Sequence, residues 1–122
     1  MKPLTNIELE RYASDIPHFR GVFMRDTLPK RIRKNERGII NLDSSKNQGS
    51  HWISYARVQK TKNSKPIVYY FDSFGDLKPT SEMVKYFKSN GKDVDIKYNH
   101  KQYQSYGTSN CGQLCLKFLR SV

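Results

Sequence analysis

A cysteine placed where a polar segment becomes an apolar run is the first feature of this chain that could do chemistry. Cys111 follows such a polar segment, and the apolar positions after it recur with helical spacing. At the start of a helix, the dipole and the free backbone N–H groups favour a thiolate and can stabilise an oxyanion. Gln104, seven positions earlier, offers a side-chain amide as a second oxyanion donor. The alternative is that Cys111 and Cys115 only fill a core.

A histidine and an acid occupy the ends of two neighbouring strand-like segments. His51 opens the first segment, and Asp72 follows the second, continuously apolar one. The polar stretch 60–65 between them is typical of a hairpin turn, and antiparallel pairing makes these two ends neighbours. We therefore expect His51 and Asp72 to lie within hydrogen-bonding distance. His18 and His100 have no acid that a predicted element would bring close.

Together these side chains meet the needs of a cysteine protease. Cys111 would be the nucleophile, and His51 would hold the thiolate in an ion pair and later protonate the leaving amine. Asp72 would orient the imidazole, while Gln104 and the Cys111 N–H would bind the oxyanion. Each residue alone is a weak indication. The set placed by one hairpin and one helix start is much stronger.

The remaining pattern predicts a single α+β domain over residues 1–122. Thr5 and Glu8 form a capping-box pattern that begins a helix, which Pro17 must end. A second helix is predicted over 80–87 and a third from Cys111. Strands are predicted at 19–24, 38–42, 51–58, 67–71 and 94–98. We expect a mainly antiparallel central sheet with an N-terminal helix and a C-terminal helix that carries the nucleophile.

Charge is the strongest compositional signal. The chain has 122 residues and a formal net charge of +11, from 22 basic and 11 acidic side chains. Such an excess favours polyanions, so non-specific DNA is an expected partner through the basic surface. The run from Lys30 to Lys34 could contact nucleic acid, serve as a nuclear import signal or be only a solvated loop.

Cysteine usage and hydropathy restrict the compartment. Two cysteines four positions apart make neither a disulfide framework nor a zinc site. No apolar run reaches the roughly 18 residues of a membrane helix, and the N-terminus has no signal-peptide pattern. We expect a protein of a reducing compartment that is neither secreted nor bound to a membrane.

Three motifs resemble the adenovirus-type (adenain-like) cysteine proteases, which are related to the ubiquitin-like-protein proteases. They are His51-Trp52, the stretch 69–75 that reads Y-Y-F-D-S-F-G, and Gln104 followed by Cys111-Gly112. The resemblance extends over about residues 5–120 and implies a papain-like/adenain-like fold. It gives His51, Asp72, Gln104 and Cys111 the roles stated above.

The resemblance also implies a biological setting. Substrates would be viral capsid or core precursors cut at glycine-containing sites, in the virion and in the host nucleus or cytoplasm. The source would be a virus, a virophage or a self-synthesising transposon. We expect no cofactor and a monomer, with DNA as a candidate activator.

Three departures separate this chain from the adenovirus enzymes. The acid is Asp72, where those enzymes commonly have glutamate, although aspartate is usual in the related deconjugating proteases. The chain is far shorter. It also has no spare cysteine for the disulfide-linked activating peptide of the adenovirus enzyme, because Cys111 is the nucleophile and Cys115 is predicted to face the core.

Two other functions remain open on the sequence. One is an isopeptidase that removes ubiquitin or a ubiquitin-like protein with the same chemistry. The other is a basic nucleic-acid-binding protein with a vestigial protease fold. Trp52 also has two interpretations, as a core aromatic or as a wall beside the His51 ring. Gly112 is expected to let the backbone pack closely near the substrate, and Gly107 to form a turn.

Overall fold

A computed structural model describes residues 3–43, 51–104 and 110–122, and these contain three helices and five strands. The helices are α1 (Asn6–Ala13), α2 (Ser81–Phe87) and α3 (Cys111–Ser121). The strands are β1 (Phe19–Met24), β2 (Glu36–Asn41), β3 (Trp52–Val58), β4 (Ile67–Phe71) and β5 (Asp95–Tyr98). The predicted α+β class and the two terminal helices are confirmed. The turn predicted at Gly107 lies outside the described residues.

The five strands form one mixed sheet in the order β1-β2-β3-β4-β5. Its central strands β2, β3 and β4 are antiparallel, as predicted. The two edge strands pair in parallel with their neighbours, which the sequence reading did not anticipate. Parallel pairing needs a crossover, and α2 lies in the one that joins β4 to β5.

Both faces of the sheet are covered, so the central strands are apolar on both sides. On one face α1 and α3 complete a core, and α2 completes another on the opposite face. The first core contains Leu9, Ala13, Ile16, Ile39, Trp52, Phe71, Cys111, Cys115 and Leu119. The second contains Ile32, Ile40, Ile53, Tyr55, Val68, Tyr70, Met83, Tyr86, Phe87 and Val94.

A capping box begins α1, and a glycine in α3 lets the two helices pack closely. Thr5 caps α1 through the predicted capping box: its hydroxyl accepts from the Glu8 N–H at 3.2 Å, and the Glu8 carboxylate accepts from the Thr5 N–H at 3.1 Å. A Cβ at Gly112 would lie 3.2 Å from a Leu9 methyl and 3.3 Å from the Leu4 Cβ. The close packing observed at Gly112 is therefore against α1 and the residues before it, whereas close packing near the substrate was predicted. Within the described residues no helix is both long and apolar enough to cross a membrane.

Candidate active site

His51 and Asp72 meet at one end of the sheet. The β3–β4 register pairs Ser54 with Phe71, which sets the residue before β3 and the residue after β4 at the same end. The His51 Nε2 lies 2.8 Å from the Asp72 Oδ1, and both side chains are buried. The proximity that the hairpin predicted is confirmed.

Cys111 is the first residue of α3, and its thiol reaches the beginning of β3. Its Sγ accepts a hydrogen bond from the Trp52 N–H at 3.5 Å. One turn later, the Cys115 Sγ donates to the Trp52 carbonyl at 3.4 Å, and Cys115 is completely buried, as predicted. Because His51 directly precedes Trp52, these contacts hold the Cys111 thiol beside the imidazole.

The two reactive groups shift each other's protonation toward an ion pair. Burial lowers the pKa of His51, but hydrogen bonds with Asp72 and Cys111, and the negative charges of both, raise it to about 9. Burial raises the pKa of the Cys111 thiol, but hydrogen bonds from His51 and from the backbone N–H groups of Trp52 and Gly112 leave it lower than usual. Because the Nε2 of His51 is hydrogen-bonded to Asp72, the other ring nitrogen, Nδ1, remains to interact with the Cys111 thiol.

A tight turn after β4 fixes the carboxylate. Asp72 accepts through Oδ1 from the Phe74 N–H at 3.0 Å, and its carbonyl accepts from the Gly75 N–H at 2.9 Å. Asn99 clamps the Asp72 backbone, accepting from its N–H at 2.9 Å and donating to its carbonyl at 2.7 Å. Gly75 has φ +80°, and a Cβ there would lie 2.7 Å from the Lys101 carbonyl oxygen. Glycine is therefore required for the turn to pack on the 99–104 segment.

An aromatic ring does cover the imidazole, but it belongs to Phe74. The Phe74 and His51 rings are stacked with centroids 4.4 Å apart and planes at 14°. Trp52 instead packs in the core under α3, where its Nε1 donates to the Leu4 carbonyl at 3.1 Å. Of the two interpretations of Trp52, the core aromatic is therefore the observed one. Phe74 was not predicted as part of the site, because it lies in the irregular turn after β4, where no helix or strand periodicity indicates the direction of its ring.

Gln104 is buried and bound to the same turn. Its N–H donates to the Ser73 carbonyl at 3.0 Å, and its side-chain Oε1 accepts from the Ser73 hydroxyl at 2.5 Å. The side chain predicted to bind the oxyanion is thus hydrogen-bonded to Ser73, the residue that follows Asp72. All four predicted side chains, His51, Asp72, Gln104 and Cys111, lie around this end of the sheet.

His100 has an acidic neighbour that no predicted helix or strand brings close to it. Its Nδ1 lies 2.7 Å from the Asp76 Oδ1, and both side chains are mostly exposed. Asp76 comes from the same turn that fixes Asp72, and its N–H donates to the Asn99 carbonyl. Neither residue lies in a predicted helix or strand, which is why no sequence pattern indicates this exposed pair.

Comparisons with known proteins identify the fold. Two crystal structures of the ASFV pS273R protease, one from selenomethionine protein, superpose with TM-scores of 0.62 and 0.66 at 16% and 15% identity. Each comparison covers 98% of this chain, which spans 57% of the chain it matches. The chain shares that protease's fold. No protein-family profile and no curated protein sequence matches it.

Proposed function

We propose that this protein is a cysteine endopeptidase of the adenain type. The observation that carries the proposal is the buried His51–Asp72 hydrogen bond beside a thiol at a helix start. The opposed pKa shifts of His51 and Cys111 support an ion pair near neutral pH. The shared fold with a viral protease supports the same reaction class.

In this proposal Cys111 attacks the carbonyl carbon of the scissile peptide bond as a thiolate. The carbonyl oxygen becomes an oxyanion that accepts from the Cys111 N–H and the Gln104 side-chain amide. His51 donates its Nδ1 proton to the amine as the C–N bond breaks, which leaves a thioester on Cys111. A water then attacks the thioester, and His51 accepts its proton. The C–S bond breaks, the carboxylic acid product leaves, and the Cys111 thiolate and the His51 imidazolium are restored.

We extend the proposal to protein substrates, specifically viral capsid or core precursors cut at glycine-containing sites. The His51 ring and the Cys111 thiol are both buried, so the substrate backbone must approach the thiol closely. Glycine has no side chain to obstruct that approach. We propose that this reaction takes place in the virion and in the host nucleus or cytoplasm.

A peptidase assay tests the proposal directly. The wild type is incubated with a library of glycine-containing peptides and with viral core precursors, and Cys111→Ala and His51→Ala serve as matched inactive variants. Cleavage by the wild type alone supports the endopeptidase. Labelling of Cys111 by a ubiquitin or SUMO probe with a C-terminal electrophile, without peptide cleavage, would favour the isopeptidase. Absence of both activities would contradict a thiol protease.

Non-specific DNA is the partner that the basic surface favours. Ile32 is buried and its N–H donates to the Ser89 hydroxyl at 2.8 Å, which anchors the basic run to the end of α2. The four cations around Ile32 are exposed: Lys30, Arg31, Arg33 and Lys34. We propose that this loop contacts phosphates. DNA affinity should fall steeply with salt and should weaken when these four residues are changed to glutamine, whereas Cys111→Ala should not affect it.

A further inference from the structure

Ser73 holds both the backbone and the side chain of Gln104. Its carbonyl accepts from the N–H groups of Tyr103 at 2.8 Å and Gln104 at 3.0 Å, and its hydroxyl donates to the Gln104 Oε1 at 2.5 Å. Ser73 is completely inaccessible to solvent, and Gln104 is 4% exposed. The side-chain hydrogen bond is therefore shielded from water, where such a bond is strongest.

The direction of this hydrogen bond matters because an amide has two chemically opposite ends. Only the Nε2 end of Gln104 can donate to an oxyanion, whereas the Oε1 end would repel it. A hydroxyl that donates to Oε1 fixes that end on Ser73. Since Oε1 and Nε2 point to opposite sides of the amide carbon, the same hydrogen bond turns Nε2 away from Ser73.

The turn that carries Ser73 also carries the other supports of the site. Asp72, on one side of it, bonds the His51 ring, and Phe74, on the other side, stacks on that ring. One tripeptide therefore connects the acid, the imidazole and the oxyanion amide. The Ser73 hydroxyl donates its hydrogen bond to the Gln104 amide.

We propose that Ser73 is a positioning residue that sets the orientation of the Gln104 amide for oxyanion binding. This inference rests on the proposed peptidase function. It predicts that Ser73 acts on the chemical step through Gln104 and leaves the thiolate–imidazolium pair unchanged. The Ser73 hydroxyl itself does not contact the substrate.

The test is a double-mutant cycle of Ser73→Ala and Gln104→Ala, measured as kcat and KM on a peptide that the wild type cleaves. Removing an oxyanion donor lowers kcat by about 10²–10³-fold, so we expect that loss for Gln104→Ala. Ser73→Ala should lower kcat about tenfold with KM nearly unchanged, as the loss of one buried hydrogen bond implies. In the Gln104→Ala background, Ser73→Ala should have no further effect on kcat.

Two readouts separate positioning from a general structural effect. The pH dependence of Cys111 alkylation should be the same for Ser73→Ala and the wild type. Ser64→Ala is the matched control, because it also removes a serine hydroxyl that accepts from a backbone N–H and donates to a carbonyl, both of Thr61, in the turn at the opposite end of the β3–β4 hairpin from His51. It should lower stability without lowering kcat.

The outcomes distinguish this inference from the function on which it rests. An active wild type with an unchanged kcat for Ser73→Ala would overturn the positioning role and leave the protease intact. Equal losses from Ser73→Ala in the presence and absence of the Gln104 side chain would also overturn it. A wild type that cleaves nothing and whose Cys111 titrates as an ordinary thiol would contradict the proposed function itself.

Discussion

Two buried clusters of ionisable side chains lie at opposite ends of the same sheet: one surrounds a carboxylate with hydrogen-bond donors, and the other brings a thiol beside an imidazole. At one end, Glu36 at the start of β2 is fully buried. Its carboxylate accepts from the Arg20 guanidinium at 2.8 Å, from the Arg33 N–H at 3.0 Å and from the hydroxyls of Tyr55 and Tyr86. Four donors match the roughly four acceptor sites of a carboxylate.

The other end contains the candidate active site. There His51 and Cys111 form a pair in which each partner shifts the other's pKa toward the charged form, and Cys111 is the proposed nucleophile. Burial and Glu36 instead raise the pKa of Tyr55 and Tyr86, so both phenols remain protonated donors. We therefore expect the Glu36 cluster to contribute mainly to stability, and the Cys111 end to contribute mainly to the proposed activity.

The Glu36 cluster also constrains the backbone beside it. A Cβ on Gly38 would lie 2.5 Å from the Tyr55 hydroxyl oxygen and from a Tyr55 ring carbon. The phenol therefore crosses over Gly38 on its way to the carboxylate. This close approach explains a glycine within a buried central strand.

The largest expected effect on activity comes from the thiol. Cys111→Ala should reduce cleavage to background, because it removes the nucleophile of the proposed mechanism. Cys115→Ala is the matched control: it removes the buried thiol one turn away and should keep most activity while costing about 1 kcal/mol of stability. Peptide hydrolysis and urea unfolding measure the two quantities. Equal activity losses in the two variants would contradict the assignment of Cys111.

The opposite end should show the reverse pattern. Glu36→Ala leaves the Arg20 charge and two buried phenols without their acceptor, so we expect the free energy of unfolding to fall by about 3–5 kcal/mol. The kcat per folded molecule should change little, because this cluster lies far from the thiol. Urea denaturation and active-site titration measure the two effects. A large kcat loss in fully folded Glu36→Ala would break the division between the two ends.

Removing the negative charge of Asp72 should shift the pH dependence of activity. Asp72 raises the pKa of His51, which is about 9, so the protonated imidazole is lost as pH rises through that value. Asp72→Asn should lower this pKa by about 1–3 units and move the alkaline limb of kcat/KM to lower pH. Rate profiles across pH measure the shift. An unchanged alkaline limb would mean that Asp72 does not stabilise the imidazolium.

The smallest expected effect concerns the ring that covers His51. Phe74→Leu keeps the backbone N–H that donates to Asp72 but removes the stacked ring. An aromatic contact of this kind contributes about 0.5–1.5 kcal/mol, so kcat should fall by roughly two- to tenfold. Phe118→Leu is the control variant, because it also removes a stacked ring, the one that packs on Phe71. Steady-state kinetics of the two variants measure the difference. A larger kcat loss in Phe118→Leu would argue against the role of Phe74.

Local patterns in the sequence were sufficient for most of the active-site end. The apolar strands and the polar hairpin turn between them place His51 beside Asp72 with few alternatives. The helix start at Cys111 follows from the change in hydrophobic pattern. These signals are local or involve two strands joined by a short turn, which is why the sequence shows them.

The Glu36 cluster could not be predicted in the same way. A charged residue at the start of β2 argues against burial unless donors surround it, and these come from Arg20, Arg33, Tyr55 and Tyr86. Tertiary packing alone brings these positions together. The parallel edge strands, the Phe74 stack and the Ser73–Gln104 bond depend on packing for the same reason.

The alkylation rate of Cys111 by iodoacetamide across pH tests the central claim most directly. The site of reaction is read by mass spectrometry in the wild type, His51→Ala and Cys111→Ser. We predict reaction at Cys111 with an apparent pKa well below about 8.5, raised in His51→Ala and absent in Cys111→Ser. A slow, ordinary thiol titration that His51→Ala leaves unchanged would contradict the thiolate–imidazolium pair and the protease mechanism built on it.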